Sequence, residues 1–207
     1  MARPTPSRPA SDPDPEPGGL RAATLAAAAR LLATEGPGGL VVRRIASDAG
    51  CSTMAVYHYF DGKKGLLDAL YVEGFQRLHG AQNIAVTDDP EADVRAMCLA
   101  YRTVALAHPE YYQVMFGRPV PDFVPSESSR EHARTNYAQF VDAVRRWGAR
   151  TPLTATTEDA AHVLWAAGHG LVLLELTGNA PEGDAETRYT VAINALLGGL
   201  RRPDTPS

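Results

Sequence analysis

Residues 41–67, VVRRIASDAGCSTMAVYHYFDGKKGLL, limit the folds open to this chain more than any other stretch, because helix-forming sequence is broken there at two close points. Val42, Ile45 and Ala46 stand at i, i+3 and i+4, an apolar edge flanked by the polar Arg43, Arg44, Ser47 and Asp48. Ala49-Gly50 ends that edge, and Gly50 suits the positive-φ position that follows a helix. Ser52 then offers its hydroxyl as an N-cap, and residues 53–60, TMAVYHYF, supply about two further turns before Asp61-Gly62. Two short helices joined by a tight glycine-containing turn make the helix-turn-helix pattern, whose second helix enters the major groove of DNA.

The second helix separates that reading from a plain helical hairpin with wetted aromatics. Val56 and Phe60, at i and i+4, can point inward together. Thr53, Met54, Tyr57, His58 and Tyr59 then occupy the rest of the circumference, a large hydrogen-bonding surface for so short a helix. Tyrosine and histidine donate to phosphate oxygens, while Thr53 and Met54 near the N-terminus are placed for base edges and thymine methyls. Arg43, Arg44 and Ser52 complete the candidate DNA-binding set.

Ile45, Ala46, Ala49, Gly50, Ser52, Val56, Tyr57, Tyr59, Phe60, Lys63 and Leu66 fall in one ungapped register that resembles the DNA-binding domain of the TetR (tetracycline-repressor) family. The resemblance implies that Tyr57 and Tyr59 touch the DNA backbone and that Lys63, opening the next helix, holds a phosphate. One position departs from it. The family commonly starts the first motif helix with Thr or Ser, as cap and phosphate contact, and Val41 stands there.

The overall charge neither requires nor forbids a nucleic-acid partner. The 207-residue chain carries 20 Lys and Arg against 24 Asp and Glu, a formal charge of −4. Residues 1–87 hold nine basic against eight acidic side chains, and residues 88–207 hold eleven against sixteen. Phosphate binding depends on local cations rather than on the overall sum, so this asymmetry permits a nucleic-acid partner without establishing one. The two cysteines, Cys51 and Cys98, lie in no metal-ligand spacing and read as reduced, packed thiols. No apolar run spans a membrane, and no signal pattern opens the chain, so a cytoplasmic protein is expected.

Along the chain, the proline-rich residues 1–18 bury too little apolar surface to fold, and a disordered tail is expected there. Residues 19–64 form the expected DNA-binding domain, beginning with an Ala-rich helix from Leu20 to Thr34, and residues 65–202 a helical regulatory and dimerisation domain. Helices are expected over 63–79, 90–107 after the cap Asp89, 109–116, 127–148, 157–176 capped by Thr157-Glu158-Asp159, and 184–200, with a loop over 117–125. No segment alternates with a strand's period, so the fold class is all-α.

In the second half, Ala105–Phe116 (ALAHPEYYQVMF) and the downstream Trp165-Ala-Ala-Gly-His169-Gly170 resemble a regulatory-domain subgroup of the same family named for its Trp-His-Gly signature. Trp165 and His169, at i and i+4, share a face, and Gly168 and Gly170 permit close helix approach. The face suits either a ligand pocket or a tightly packed helix pair with a satisfied histidine. Met97, Tyr101, Met115, Phe116, Phe140, Trp165 and His169 are the candidate ligand-binding residues, in a mostly apolar pocket for a small-molecule effector. No HExxH, GxSxG, P-loop or dinucleotide fingerprint occurs, so no catalytic residue, metal or cofactor is assigned.

Leu171, Leu174, Val191 and Leu196, with Val172, Ile193, Ala195 and Leu197, exceed the apolar needs of one core and are the candidate homodimer surface. Together these features predict a homodimeric, ligand-responsive regulator of transcription that binds a palindromic double-stranded operator, because one recognition helix reads too few base pairs. A helical small-molecule-binding or interaction protein without operator specificity is the alternative, with an α-helical enzyme a more remote one.

Overall fold

Breakers and caps divide the chain into helices. The computed structural model describes residues 17–117, 120 and 123–203, and its described residues form nine α-helices and no strand. Helix α1 (Pro17–Glu35) ends in a 3₁₀ turn over Gly36–Gly39, where Gly36 takes φ +67°. Helix α2 (Val42–Asp48) stops at Gly50, at φ +66°, and α3 (Thr53–Phe60) starts after Ser52, whose Oγ accepts from the Ala55 N–H at 3.1 Å. Val41 occupies the α2 cap and its side chain makes no capping bond. Asp61, left-handed at φ 52°, turns the chain into α4 (Gly62–Gln82).

The first core lies where α1 to α3 meet the start of α4. Leu32, Ile45, Val56, Phe60, Leu66 and Leu70 are buried there together. Each such side chain removed from water contributes about 1.5–3 kcal/mol, which holds the two short motif helices against their fraying. The second core sits among α5 (Pro90–Ala107), α7 (Glu127–Arg150), α8 (Thr157–Leu176) and α9 (Ala185–Leu200), around Val94, Val144, Trp147, Leu164, Ile193 and Leu197. Helix α4 serves both cores, with Leu66, Leu67 and Leu70 in the first and Leu78 in the second. A boundary at 64/65 therefore falls inside a continuous helix.

A second element also joins the halves. Helix α6 (Pro109–Tyr112) runs into a π-helical turn over Gln113–Gly117. Tyr111 and Val114 enter the first core, Tyr112 enters the second, and Met115 and Phe116 pack against both. Gly74 of α4 makes room for it, since a Cβ there would lie 2.5 Å from Met115 Sδ.

Several boundaries differ from the sequence expectation for identifiable reasons. Residues 1–16 of the expected tail lie outside the described residues, while α1 begins at Pro17, where a proline is tolerated in the first turn. Helix α4 continues past His79 to Gln82, because Gln82 is buried and bonded to α5 and α7. The cap of α8 is Thr156, one residue before the expected start, and its side chain accepts from the Asp159 N–H. Of the expected 117–125 loop, residues 118, 119, 121 and 122 are outside the described set.

Candidate nucleic-acid interface and effector cavity

Burying Val56 and Phe60 leaves the other faces of α3 open. Met54 is 76% and Tyr57 55% exposed, and His58 is exposed beside them. Thr53 and Tyr59 are half-buried, the Tyr59 ring standing edge-on to His58 at 5.2 Å between centroids. Lys63 and Lys64 are both exposed in the first turn of α4, where the helix dipole adds to their positive field. The surface is thus a short amphipathic helix with aromatic and cationic flanks. Arg43 is exposed near it. Arg44 is not free, because its guanidinium forms a two-pronged pair with Glu35 at the end of α1, one arm at 2.6 Å. The sequence places Arg44 on the DNA side without revealing that partner nine residues earlier.

Between α4, α5, α7, α8 and the π turn lies a cavity of about 420 Å³. Five of the seven residues expected around a ligand line it: Tyr101, Met115, Phe116, Phe140 and Trp165. Met97 does not. Its side chain is 2% exposed within the second core, apart from the cavity, while its backbone carbonyl holds Gln82. His169 stands just behind the wall, with its ring 4.9 Å from Phe116 and 5.9 Å from Trp165.

Its Nδ1 is tied to two tyrosines. Tyr112 Oη lies 2.7 Å from His169 Nδ1, and Tyr101 Oη is 3.2 Å from Tyr112 Oη. Burial lowers the affinity of His169 for a proton and pushes the Tyr112 hydroxyl up to about 12, so the contact joins a neutral imidazole to a neutral phenol. Tyr189 donates to the Cys98 carbonyl at 2.8 Å, and burial pushes the Cys98 thiol up to about 12, which keeps it protonated. Gly168 admits the Tyr189 hydroxyl, which would sit 2.9 Å from a Cβ there, whereas a Cβ at Gly170 would meet nothing. Only the first of the two glycines serves close packing.

Tyr71, Phe75, Gln82, Asn136, Tyr137 and Tyr189 also line the cavity and are not among the residues singled out from sequence. Asn136 shares a face with Phe140, Ala143 and Trp147, a signal available from spacing alone. Gln82 lies beyond the expected end of its helix, which hid it.

The candidate dimer residues divide by exposure. Leu174 is 44% and Val191 60% exposed, with Val163 and Leu173 also on the outer face of α8. Leu171 and Leu196 are half-buried against the second core, and Val172, Ile193 and Leu197 are wholly inside it. Those three are core residues rather than surface ones, since the helical stripe from α8 and α9 is wide enough to serve two faces.

Comparison with known proteins accords with this arrangement. Residues 25–70 match the family model described as bacterial regulatory proteins, tetR family, and residues 94–196 match the tetracyclin repressor-like C-terminal domain. The HTH-type transcriptional regulator Rv1816 of Mycobacterium tuberculosis is 27% identical, over 80% of this chain and 88% of its own length. The HTH-type transcriptional repressor DrrR1 of Streptomyces coeruleorubidus is 36% identical over 45% of this chain and 34% of its own. A solved protein with unknown function from Rhodococcus sp. RHA1 superposes with a TM-score of 0.79 at 28% identity, covering 95% of this chain and 100% of that one.

Proposed function

The chain belongs to the TetR family of DNA-binding transcriptional regulators and is not an enzyme, and on that premise we propose that it is a repressor which grips a palindromic operator as a homodimer and is released by a small, mostly apolar effector. The observation that carries the reading is the cavity's position. Its wall includes Phe75 of α4 and Phe116 of the π turn, whose rings meet at 5.7 Å, and both elements continue into the core that carries α3. A molecule that spreads Phe75 from Phe116 moves the element from which α3 is held. Release then requires only that the effector bind the displaced arrangement more tightly than the DNA-competent one.

Within this reading Lys63, Tyr57, Tyr59, His58, Ser52 and Arg43 act on phosphates, and Thr53 and Met54 on base edges. Arg44 takes part only when the complex draws it from Glu35. Leu174 and Val191 lie in the dimer contact. No helix among the described residues is long and apolar enough to cross a membrane.

Selection of bound fragments from a random DNA pool tests the operator. The expected product is an inverted repeat with half-sites about 10 base pairs apart, or a multiple of that. Recovery of sequences without two-fold symmetry would sink the homodimeric operator reading, and an operator complex that no apolar compound dissociates would sink the effector.

A further inference from the structure

We propose that the cavity takes a flat, uncharged aromatic molecule carrying a hydroxyl or ring N–H donor on one edge, and that Asn136 Oδ1 is the group that recognises this donor. The inference rests on the reading of this cavity as the effector site and adds the chemistry of its occupant.

The walls select flatness. Rings of Phe75, Phe116, Tyr137, Phe140 and Trp165 line them, and neighbouring rings stand at steep angles: 72° for Phe75 on Phe116 and 63° for Tyr137 on Trp165. Surfaces that alternate ring faces with ring edges complement another aromatic face and edge, through the same quadrupole attraction that orders the wall itself. An aliphatic chain of equal area gains none of this.

Charge is excluded from the interior. Arg134 and His162 reach the cavity, but the Arg134 side chain is 51% exposed and its guanidinium is held by Glu127 at 2.8 Å and Glu131 at 2.6 Å. An ionised ligand group placed deeper loses its water without gaining a counter-charge.

The polar contact follows from a chain of hydrogen bonds whose direction is fixed at one end. The Met97 backbone carbonyl can only accept, so it takes the Gln82 Nε2–H, at 3.1 Å. Gln82 Oε1 therefore faces Asn136 and accepts from its Nδ2 at 3.0 Å. That contact fixes the Asn136 amide with Oδ1 turned away from Gln82, and no hydrogen bond among the described residues uses this oxygen. Asn136 is 6% exposed and belongs to the cavity lining. Two other polar groups of the wall are engaged, the Tyr101 hydroxyl with Tyr112 and His169 and the Tyr189 hydroxyl with Cys98, while Tyr71, Tyr137, His162 and Trp165, also in the lining, are less buried than Asn136. An oriented, accessible acceptor on an otherwise buried side chain discriminates for a donor, because a ligand lacking one displaces water from the acceptor and leaves it unpaired.

Calorimetric titration of the full chain with 2-naphthol, 2-methoxynaphthalene, naphthalene, 2-naphthoate and dodecanol tests the inference. 2-Naphthol is expected to bind at least about tenfold more tightly than its methoxy analogue and naphthalene, and Asn136→Leu to erase that preference while naphthalene affinity is retained or rises, because no acceptor is then left unpaired. Retained naphthalene binding shows that the variant is folded. Should Asn136→Leu not fold, Gln82→Met, which removes the anchor and keeps the asparagine, is expected to reduce the preference several-fold. Equal binding of naphthol and naphthalene, tightest binding of the naphthoate or dodecanol, absence of aromatic binding, or a preference that survives in both variants would overturn the proposal. The measurement contains no DNA. A chain that binds 2-naphthol through Asn136 yet keeps its operator when saturated upholds this inference and refutes release by the effector.

Discussion

Tyr112 Oη lies 2.7 Å from His169 Nδ1, so a residue of the short α6 segment is fastened to the middle of α8 by one hydrogen bond. The two rings also stack, 5.5 Å apart at 25°. Tyr111, the next residue back, is buried in the first core with the Arg77 guanidinium 5.1 Å from its ring centroid. Adjacent residues thereby tie the cavity wall on one side to the DNA-binding core on the other.

Burial of the His169 ring sets a pH dependence. Burial lowers the His169 pKa from an ordinary value near 6.5, so the unfolded chain takes up the proton before the folded one does. No differential contribution exists well above that value. As pH falls through it, protonation favours the unfolded chain, and the loss levels off only below the folded value. The melting temperature of the wild type is expected to drop more between about pH 7.5 and about pH 5.5 than that of His169→Gln, which keeps an acceptor for Tyr112 and cannot titrate. Equal drops would show that His169 titrates alike in both states.

Gly65 marks where α4 crosses the end of α3. A Cβ there would fall onto the Phe60 carbonyl oxygen, a backbone atom that cannot swing aside. Gly65→Ala is expected to cost about 2–3 kcal/mol in chemical denaturation. Gly170→Ala provides the contrast, since its added methyl meets nothing, and it is expected to stabilise by about 0.5–1 kcal/mol through helix propensity. A neutral Gly65→Ala would mean that α3 and α4 can shift apart at no cost, and the rigid coupling of the recognition helix to α4 would be lost as an argument.

The all-α class and most helix ends were legible because caps and breakers act locally. Asp89, Ser52, Asp184 and Gly178 each mark an end through one side chain or one φ value. Thr156 was missed in favour of its neighbour because two threonines in a row both offer a capping hydroxyl. The cavity was legible in part, since aromatic surplus on several helices shows in spacing. What spacing cannot show is which of two apolar faces a helix turns inward. Met97 therefore read as lining and proved to be core, while Leu197 read as surface and is wholly buried. Arg44 and Gln82 depend on partners distant in sequence, Glu35 and Asn136, that only the folded chain brings to them.

On DNA, Lys63 and Met54 are expected to behave differently. Lys63→Ala should weaken binding to selected and random DNA by similar factors and lower the slope of log affinity against log salt by about 0.9. Met54→Ala should leave that slope unchanged and alter which bases are preferred, since the side chain projects from the first turn of α3. A loss confined to one sequence for Lys63→Ala would make it a base reader and reverse the two roles.

The dimer contact can be tested with variants that leave the protomer's interior alone. Leu174 and Val191 lie on the outer faces of α8 and α9, 44% and 60% exposed, so an arginine at either position meets solvent in a lone protomer. In a dimer built on this face each copy would bury that charge without a partner, and the two-fold axis would double the defect, a cost of several kcal/mol. Leu196 is a poorer site for the same test, because its half-buried side chain also packs on the second core. Leu174→Arg and Val191→Arg are therefore expected to sediment as folded monomers, with the helical circular dichroism of the wild type and weakened operator binding. Weakened binding follows because each monomer holds one half-site and loses the effective concentration that linkage provides. Leu197→Arg, by contrast, places its charge among fully buried neighbours and is expected to unfold. If both surface variants sediment as unchanged dimers, the contact lies away from the outer face of α8 and α9.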